Sequence, residues 1–474
     1  MRSLLAGRIS VALGCVLFLS ACKTFSPDGG MEVVASIAGS ELRKDVLAVR
    51  TPEDAARADE RVARLLKRPL TADMAVQVAL LNNRGLQAAY NALGIAEAAM
   101  VEASLPPSPT ISISRLASPV ELEIERKIVA SILALATLPA RAEVAADRFR
   151  QAQLRAAEET LRVAANARRA YYQAVGSRET IGFLTQAKAS AEGATQIARR
   201  LGETGAINKL DQAREQVFYA EITAQLATAR QRAASERERL IRALGLWGGD
   251  VEFKLPGALP VPPALRTLPS VEIEAVRRRV DLQIARIEVD ALAKSYGLTG
   301  ATRFINLLEV AGLSKSTREA DGTRVHARGV EVEFQIPLFD FGEARVRHAE
   351  QTYMQAVNRL IEKAVNVRSE ARDAYGVYRS TYDIAAHYRR EVLPLRKIIS
   401  DETLLRYNAM QIDVFALLLE ARQRIMATTA AIEAQRNFWL ATTNLLVAVV
   451  GGGSPGDVSA ERTSPTAPSE PAGH

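Results

Sequence analysis

The stretch that decides the fold is VEVEFQI at residues 330–336, in which apolar and polar side chains alternate. Successive side chains of a β-strand point to opposite faces, so this pattern predicts a strand with one apolar and one polar face. TISIS at 110–114 alternates in the same way, and 121–133 and 302–310 are looser strand candidates. A strand that has lipid on one side and water on the other carries this composition.

The candidate strands form two pairs, and each pair is joined by a loop. The expected loops are 116–120 and the polar run 314–328. Four strands are too few to close a membrane barrel, since about eight is the minimum. An open sheet edge in lipid would leave backbone groups without partners. If these strands cross a membrane, several copies of the chain must share one barrel.

Long helices are predicted for most of the remaining chain. Between residues 346 and 399, apolar or small side chains recur at alternating steps of three and four residues, which is the pattern of a heptad seam. Similar patterns run over 139–201, 210–244 and 414–450. Pro394 lies inside the first pattern and is expected to kink that helix. A soluble antiparallel coiled coil would show the same periodicity, so the helices alone leave that alternative open.

The N-terminus resembles a secretion signal. Arg2 and Arg8 precede an apolar run, 9–21, which is too short to span a bilayer comfortably. The small residues before Cys22 resemble a bacterial lipobox, which implies cleavage before Cys22, acylation of its thiol and anchoring in outer-membrane lipid. The alternative is an ordinary secretion signal with an incidental cysteine. The apolar run 440–450 is also too short, so no transmembrane helix is expected in the mature protein.

The second half of the chain repeats the order of elements in the first half. LQAA at 86–89 recurs as LQIA at 282–285, and TG at 204–205 aligns with AM at 409–410. Each half reads helix, strand, strand, long helix, tip, long helix, which predicts an internal two-fold repeat. The expected segments are a signal peptide at 1–21, a lipid-anchored linker at 22–70, a first repeat at 71–250, a Pro-rich linker at 251–270, a second repeat at 271–450 and a disordered tail at 451–474.

Four motifs stand out along the chain: LQAA at 86–89, LGETGAINKLDQAR at 201–214, PLFDFG at 337–342 and RYNA at 406–409. In their order and spacing they resemble the TolC-like outer-membrane efflux protein family over about residues 70–450. The resemblance implies a mainly α fold with a small transmembrane β part. In that fold, a trimer shares one β-barrel with four strands from each chain, and long antiparallel coiled-coil helices form a periplasmic α-barrel tunnel.

The same resemblance implies a passive conduit in the outer membrane. It would export small molecules, drugs or metal ions in a tripartite efflux or type I secretion-like system, with a periplasmic adaptor (membrane fusion) protein and an inner-membrane pump as partners. The chain departs from the family pattern at several places, among them the second half, which lacks the Pro-rich strand entry seen at 106–109. Met410 stands where the family usually has Gly, Leu417 stands at an acidic position, and the first strand-to-helix join, 137–141, lacks the Phe-Asp-Gly run.

The resemblance also indicates where the pore would narrow. The family carries inward carboxylates near the periplasmic tips, and the matching residues here are Asp211 and Glu420, with Asp413 nearby. Rings of carboxylates would favour cations. The alternative is that Asp211 and Glu420 start helices or lie on the surface, stabilised by a helix N-terminus or by Arg214 and Arg422.

The two tips are the expected contact points for the adaptor. The candidate residues are Thr204, Gly205, Ala206, Ala409, Met410 and Gln411. Gly205 also suits a turn that requires a positive φ, and the two roles are compatible.

Charge and composition argue against other classes of protein. The 61 basic and 54 acidic residues are spread thinly, which indicates no nucleic-acid partner. Two cysteines cannot form a zinc cluster, and the four histidines complete no catalytic motif, so no enzyme, cofactor or metal site is predicted. The remaining alternative to a channel is a periplasmic coiled-coil structural or adaptor lipoprotein without a pore.

Overall fold

The computed structural model describes residues 25–119, 121–248, 252–319 and 321–452. The expected signal peptide, the lipidation site Cys22 and the tail from residue 453 onward lie outside the described residues. The described chain forms two compact units. The sheet unit contains residues 25–33, 90–155 and 282–364, and the helix unit contains residues 34–89, 156–281 and 365–452.

Helices account for most of the described chain. In chain order they are α1 Met31–Ile37, α2 Pro52–Leu66, α3 Ala72–Asn82, α4 Arg84–Ser104, α5 Ile132–Ala136, α6 Leu138–Glu203, α7 Lys209–Leu244, α8 Val271–Arg278, α9 Val280–Ala301, α10 Glu343–His387, α11 Leu393–Asn408 and α12 Val414–Val450, with π-helical turns at Ala38–Leu42 and Tyr388–Val392. The four strands are β1 Thr110–Ala117, β2 Glu121–Ser131, β3 Leu307–Glu319 and β4 Arg324–Gln335.

The predictions of long helices at 139–201, 210–244 and 414–450 are confirmed within two residues at each end. Their ends are set by local chemistry. Asn208 caps the start of α7, because its side chain accepts a hydrogen bond from a first-turn backbone N–H. Gly245 ends α7 in the left-handed conformation, with φ +72°, and a Cβ there would lie 2.8 Å from the carbonyl oxygen of Asn82.

The predicted helix over 346–399 is interrupted by the π-helical turn Tyr388–Val392, directly before Pro394. A π turn inserts an extra residue per turn and therefore shifts the face that a helix presents to its neighbour. Upstream of the π turn the predicted seam is correct. Downstream it is wrong, because Leu395 and Ile399 are exposed and Arg396 takes the half-buried position instead.

The sheet unit holds a four-stranded antiparallel sheet in the order β1-β2-β3-β4. Each strand pairs with its neighbours in sequence, and the register runs without a bulge from Thr110↔Val129 through Ser131↔Glu309 to Leu307↔Gln335. Both hairpin turns therefore lie at one end of the sheet, and the joins to helices lie at the other end. The strands predicted at 110–114 and 330–336 are confirmed.

The expected long loop at 314–328 is wrong, because β3 runs to Glu319 and β4 begins at Arg324, with the described turn residues at 321–323. Asp321 and Gly322 make this turn: Gly322 has φ +90°, and Asp321 Oδ1 accepts a hydrogen bond from the Thr323 N–H at 2.8 Å. The polar run pairs with β2, which supplies the backbone hydrogen bonds that composition alone does not reveal. The candidate strand at 302–310 likewise begins only at Leu307.

The PLFDFG motif at 337–342 builds a tight join from β4 into α10. Phe341 and Gly342 both have positive φ, at +49° and +73°, and a Cβ on Gly342 would lie 2.2 Å from the carbonyl oxygen of Arg303. Asp340 Oδ1 accepts a hydrogen bond from the Gly342 N–H at 2.9 Å. The guanidinium of Arg345 donates to the carbonyl oxygen of Thr302 at 2.6 Å. The motif therefore fixes the direction in which the chain leaves the sheet.

Both predicted linkers have more structure than expected. The segment 22–70 contains α1, a π turn and α2 within its described part. The Pro-rich segment, described from residue 252, is irregular but is held by hydrogen bonds to helices of the helix unit, to which it belongs. Glu179 accepts a hydrogen bond from the Leu259 N–H at 2.8 Å, and the Trp439 indole donates to the carbonyl oxygen of Pro260 at 2.8 Å.

Candidate functional site

The first candidate site is the turn between α6 and α7 in the helix unit. Gly205 has φ +74° there. The Ala206 N–H donates to the carbonyl oxygen of Leu201 at 2.8 Å, and the Gly205 N–H donates to that of Gly202 at 3.2 Å. This is a Schellman-type ending of α6, so the positive φ predicted for Gly205 is confirmed.

The turn between α11 and α12 has the same hydrogen bonds, each 205 residues further along the chain. The Gln411 N–H donates to the carbonyl oxygen of Arg406, and the Met410 N–H donates to that of Tyr407, both at 2.9 Å. Met410 has φ +57°, a conformation that residues other than Gly rarely adopt, and its side chain is 93% exposed. The departure from Gly therefore leaves the backbone of the turn unchanged.

Asp211 and Asp413 both lie at helix starts in these turns. Asp211 is in the first turn of α7, where its N–H donates to Asn208 Oδ1 at 2.8 Å and its Oδ2 accepts from Asn208 Nδ2 at 2.9 Å. Arg214 Nη1 lies 3.7 Å from Asp211 Oδ1. Asp413 is the N-cap of α12 and accepts from the Ala416 N–H at 2.9 Å. Both carboxylates thus stabilise a helix N-terminus, which for Asp211 agrees with the helix-start alternative.

Glu420 is buried between α11 and α12, and Arg396 lies against it. Arg396 Nη1 is 3.1 Å from Glu420 Oε2 and also donates to the side chain of Gln423. Glu420 Oε1 has no hydrogen-bond partner among the described residues. Arg422, considered as the partner of Glu420, instead pairs with Glu221 at 3.0 Å.

A buried carboxyl group that sequence reasoning missed lies one turn beyond Asp211. Glu215 is only 2% exposed, and Oε2 has no hydrogen-bond partner among the described residues. Burial raises the pKa of the Glu215 carboxyl. Phe218 and Ile222 follow it at steps of three and four residues and are buried with Ala191. That spacing places Glu215 on the apolar seam of α7, which is the signal that could have revealed it.

The second candidate site is the sheet itself, whose register separates its side chains into two faces. We call these the polar face and the apolar face. The polar face carries seven glutamates: Glu121, Glu123, Glu125, Glu309, Glu319, Glu331 and Glu333. Lys127 and Lys315 lie on the same face and form ion pairs of 2.8 Å with Glu331 and 2.7 Å with Glu123. The Lys315–Glu123 pair joins the neighbouring strands β3 and β2, as expected for side chains on one face, whereas Lys127 on β2 reaches across β3 to Glu331 on β4.

The apolar face carries large side chains that nothing in the described chain covers. More than half of each is exposed for Ile111, Ile113, Ile128, Val330, Val332 and Phe334. A contiguous exposed apolar surface of this kind marks a contact with another protein or with a membrane. The alternation of 330–336 predicted these two faces, but not the number of glutamates on the polar one.

No helix in the described ranges is both long enough and apolar enough to cross a membrane. No group of three or more His, Cys, Asp or Glu side chains within those ranges is placed to hold a metal ion.

Comparison with known proteins gives matches among solved structures. No protein-family model and no curated protein matches the sequence. The Campylobacter jejuni CmeC outer membrane channel superposes with a TM-score of 0.68 at 15% identity, covering 88% of this chain and 92% of that one. The outer-membrane channel OprN gives 0.67 at 17% identity, covering 88% and 95%.

A third match is a channel whose structure was solved in the open state. The open state of the Neisseria gonorrhoeae MtrE outer membrane channel gives a TM-score of 0.65 at 16% identity, covering 82% of this chain and 89% of that one. This chain shares with these structures a mainly helical architecture that has long helices and a small antiparallel sheet. The chain has the TolC-like fold of these outer-membrane channels.

Proposed function

We propose that this chain is the outer-membrane component of a tripartite efflux or type I secretion-like system. It acts as a passive, trimeric conduit and carries out no chemical step. Small molecules, drugs or metal ions would pass through it from the periplasm or an inner-membrane pump to the exterior.

The observation that carries this proposal is the division of the four-stranded sheet into an apolar and a polar face. Isoleucine, valine and phenylalanine side chains are exposed on one face, and seven glutamates lie on the other. In water the apolar face would be an aggregation hazard. With lipid against the apolar face and an aqueous lumen against the polar face, each face meets an environment of matching polarity.

The edges of the sheet explain why the conduit would be an oligomer. β1 and β4 each have one neighbour within the chain, which leaves an edge of unpaired backbone groups on either side. Unpaired groups in hydrocarbon cost several kcal/mol each, at an order of magnitude. Pairing β4 of one copy with β1 of the next removes both edges, and three copies close a barrel of about twelve strands, which is within the range of membrane barrels.

The helix unit would supply the periplasmic tunnel, and its two tips would form the entrance. The matched hydrogen bonds of the two tips support an internal repeat of 71–250 and 271–450. We assign the constriction to Asp211 and Asp413, which start helices at the tips, and to Glu420, which is held by Arg396. A ring of such carboxylates in a trimer would favour cations.

Contact with a periplasmic adaptor is assigned to the tip residues. These are Thr204, Gly205, Ala206, Ala409, Met410 and Gln411. The exposed thioether of Met410 suits such a contact, because methionine packs adaptably against irregular partners. Acylation of Cys22 would add an anchor in the outer membrane, beside the barrel.

The decisive experiment places the same charge on either face of β4. Val332 on the apolar face and Val325 on the polar face are 55% and 50% exposed, so Val332→Asp and Val325→Asp introduce the same charge at comparably exposed valines on opposite faces of β4. In lipid, only Val332→Asp puts a carboxylate into hydrocarbon. Full-length protein is extracted from outer-membrane fractions and tested for heat-resistant trimers and for conductance in planar bilayers.

We expect Val325→Asp to retain trimers and conductance and Val332→Asp to lose both. Equal tolerance of the two substitutions would mean that the sheet has water on both sides. Recovery of the wild-type protein as a water-soluble, non-conducting monomer would favour the periplasmic coiled-coil or adaptor alternative instead.

A further inference from the structure

The apolar face changes character toward the hairpin turns. The half nearest the joins to helices is aliphatic and aromatic, whereas the half nearest the turns is basic. The basic side chains are Arg115, Arg126, Arg318, Arg324, Arg328 and His326, which we call the basic belt. All six are exposed.

The register places the basic belt in three consecutive cross-strand rows. They are Ile113–Arg126–Ser314–Arg328, Arg115–Ile124–Ser316–His326 and Ala117–Leu122–Arg318–Arg324. Rows on one face are two residues apart, or about 7 Å along the strand. The belt therefore has a height of about 14 Å, with at least one guanidinium in each row.

Negative charge in the strands is confined to the polar face. Every glutamate of the four strands lies on the polar face, so none lies within the belt. The two lysines of the strands, on the polar face, are both paired with glutamates. None of the five belt arginines takes part in an ion pair among the described residues. The belt thus offers positive charge that the sheet itself does not neutralise.

The order of side chains from the joins to helices toward the hairpin turns matches the layers of a membrane. At the joins to helices, Phe304, Phe339 and Phe341 are exposed aromatic residues, which favour a membrane interface. Aliphatic rows that include Ile128, Val330 and Val332 come next and suit hydrocarbon. The belt follows. Guanidinium groups are costly in hydrocarbon, so the belt belongs at the level of the next headgroups, beyond the hydrocarbon.

We propose that the basic belt binds the phosphate groups of a diphosphorylated glycolipid of the lipid A type in the outer leaflet. This rests on the proposed function, which directs the hairpin turns outward and the helices into the periplasm. Arginine binds phosphate through two parallel N–H donors, and no carboxylate within the belt competes. A single phosphate per lipid would need one row, whereas three stacked rows fit a headgroup that carries several phosphates at different heights.

The test compares lipid binding by trimers of two charge-matched triple variants. In the belt variant, Arg318, Arg324 and Arg328 are replaced by Gln. In the control variant, the exposed helical residues Arg359, Arg379 and Arg389 are replaced by Gln. Trimers purified in detergent are titrated with diphosphoryl lipid A, dephosphorylated lipid A or phosphatidylglycerol, and bound lipid is counted by native mass spectrometry.

We expect wild type and the control variant to bind diphosphoryl lipid A at least tenfold better than its dephosphorylated form or phosphatidylglycerol, and the belt variant to lose that preference. Equal binding by the belt variant, or equal binding of phosphatidylglycerol, would overturn the proposal. If the belt variant does not assemble, the preference of the wild-type trimer for the phosphorylated form decides alone. Conductance of the same samples separates the two claims: conducting trimers without this preference would overturn the lipid site and leave the channel intact.

Discussion

Gly205 and Met410 occupy the same position in two turns that share one pattern of backbone hydrogen bonds. Their φ angles are +74° and +57°, and the residue after each donates to the carbonyl oxygen five positions before it, at 2.8 Å and 2.9 Å. The backbone at both tips is therefore fixed by the hydrogen bonds and not by the side chain. Because the left-handed conformation is unfavourable for a residue with a Cβ, the second tip holds strain that the first does not.

Met410→Gly is expected to stabilise the second tip. Relief of the left-handed strain amounts to about 1 kcal/mol, partly offset by the greater freedom of Gly in the unfolded chain. Hydrogen exchange of the amides around residues 406–411 should become slower by several fold. Gly205→Ala introduces the same strain at the first tip, where a Cβ would meet no atom within 4 Å, and should have the opposite effect.

The same Met410→Gly protein also tests the assignment of the tips to adaptor contact. If Met410 retains its side chain because a partner packs against the thioether, the variant should be more stable and yet bind the adaptor more weakly. Stabilisation with unchanged adaptor binding would remove Met410 from the contact surface.

Helix positions could be predicted from the sequence because the seam is long and its ends carry local signals. Asn208, Asp413 and Gly245 each mark a helix end by chemistry within a few residues. The seam prediction failed only beyond the π turn Tyr388–Val392, which shifts the buried face by one position. Nothing in that five-residue segment distinguishes a π turn from an α-helical one, so Arg396 could not be predicted to face Glu420.

The sheet was harder to predict where its partners decide its extent. Alternation at 330–336 was sufficient for β4, but residues 314–319 of β3 are polar on both faces and are strand only because β2 and β4 pair with them. Asp211 and Asp413 lie at helix starts beside the turns, where an N-cap or first-turn carboxylate is a local signal that the sequence carries. Glu215 went unnoticed because a carboxyl group on an apolar seam contradicts the pattern that defines the seam.

Gly342→Ala is expected to prevent correct folding of the join between β4 and α10. The added Cβ would lie 2.2 Å from the carbonyl oxygen of Arg303, and Gly342 also has a φ of +73°. Gly297→Ala in α9 is the matched control, because its Cβ would meet nothing within 4 Å and Ala is the better helix former. The yield of trimers in the outer-membrane fraction should fall several fold for the first variant and stay the same or rise for the second. Comparable yields would show that the backbone can move away from Arg303.

Removal of Arg396 should destabilise the second tip more than removal of an exposed arginine on the same helix. Arg396→Met leaves Glu420 buried without its charged partner, which costs about 3 kcal/mol. Arg406→Met removes an exposed pair with Glu402 and should cost less than about 0.5 kcal/mol. Protease cleavage between α11 and α12 measures the difference.

A second substitution identifies the cause of that loss. Adding Glu420→Met to Arg396→Met removes the unpaired buried charge and should recover most of the resistance to protease. If the double variant is cleaved as fast as Arg396→Met alone, packing of the arginine stem against the neighbouring helix, and not charge, holds the tip together.

Stability of the first tip is expected to decrease as the pH rises above about 4.5, because of Glu215. Burial raises the pKa of this carboxyl above its ordinary value of 4.5, so the folded tip retains a proton that the unfolded chain releases. Below pH 4.5 both states are protonated, and Glu215 contributes no pH dependence. Between pH 4.5 and the raised pKa the folded tip progressively loses stability relative to the unfolded chain, and above the raised pKa this loss is complete.

Glu215→Gln keeps the neutral shape and removes the titration. Hydrogen exchange of the amides around Ile222 reports opening of the tip. The exchange rate of the variant should match that of wild type at pH 4 and fall progressively below it toward pH 7. Glu192→Gln, on an exposed face of α6, is the control and should follow the wild-type profile at every pH. Parallel profiles for wild type and Glu215→Gln would mean that the carboxyl finds water or a counter-charge in the assembled tip and is not buried on the apolar seam.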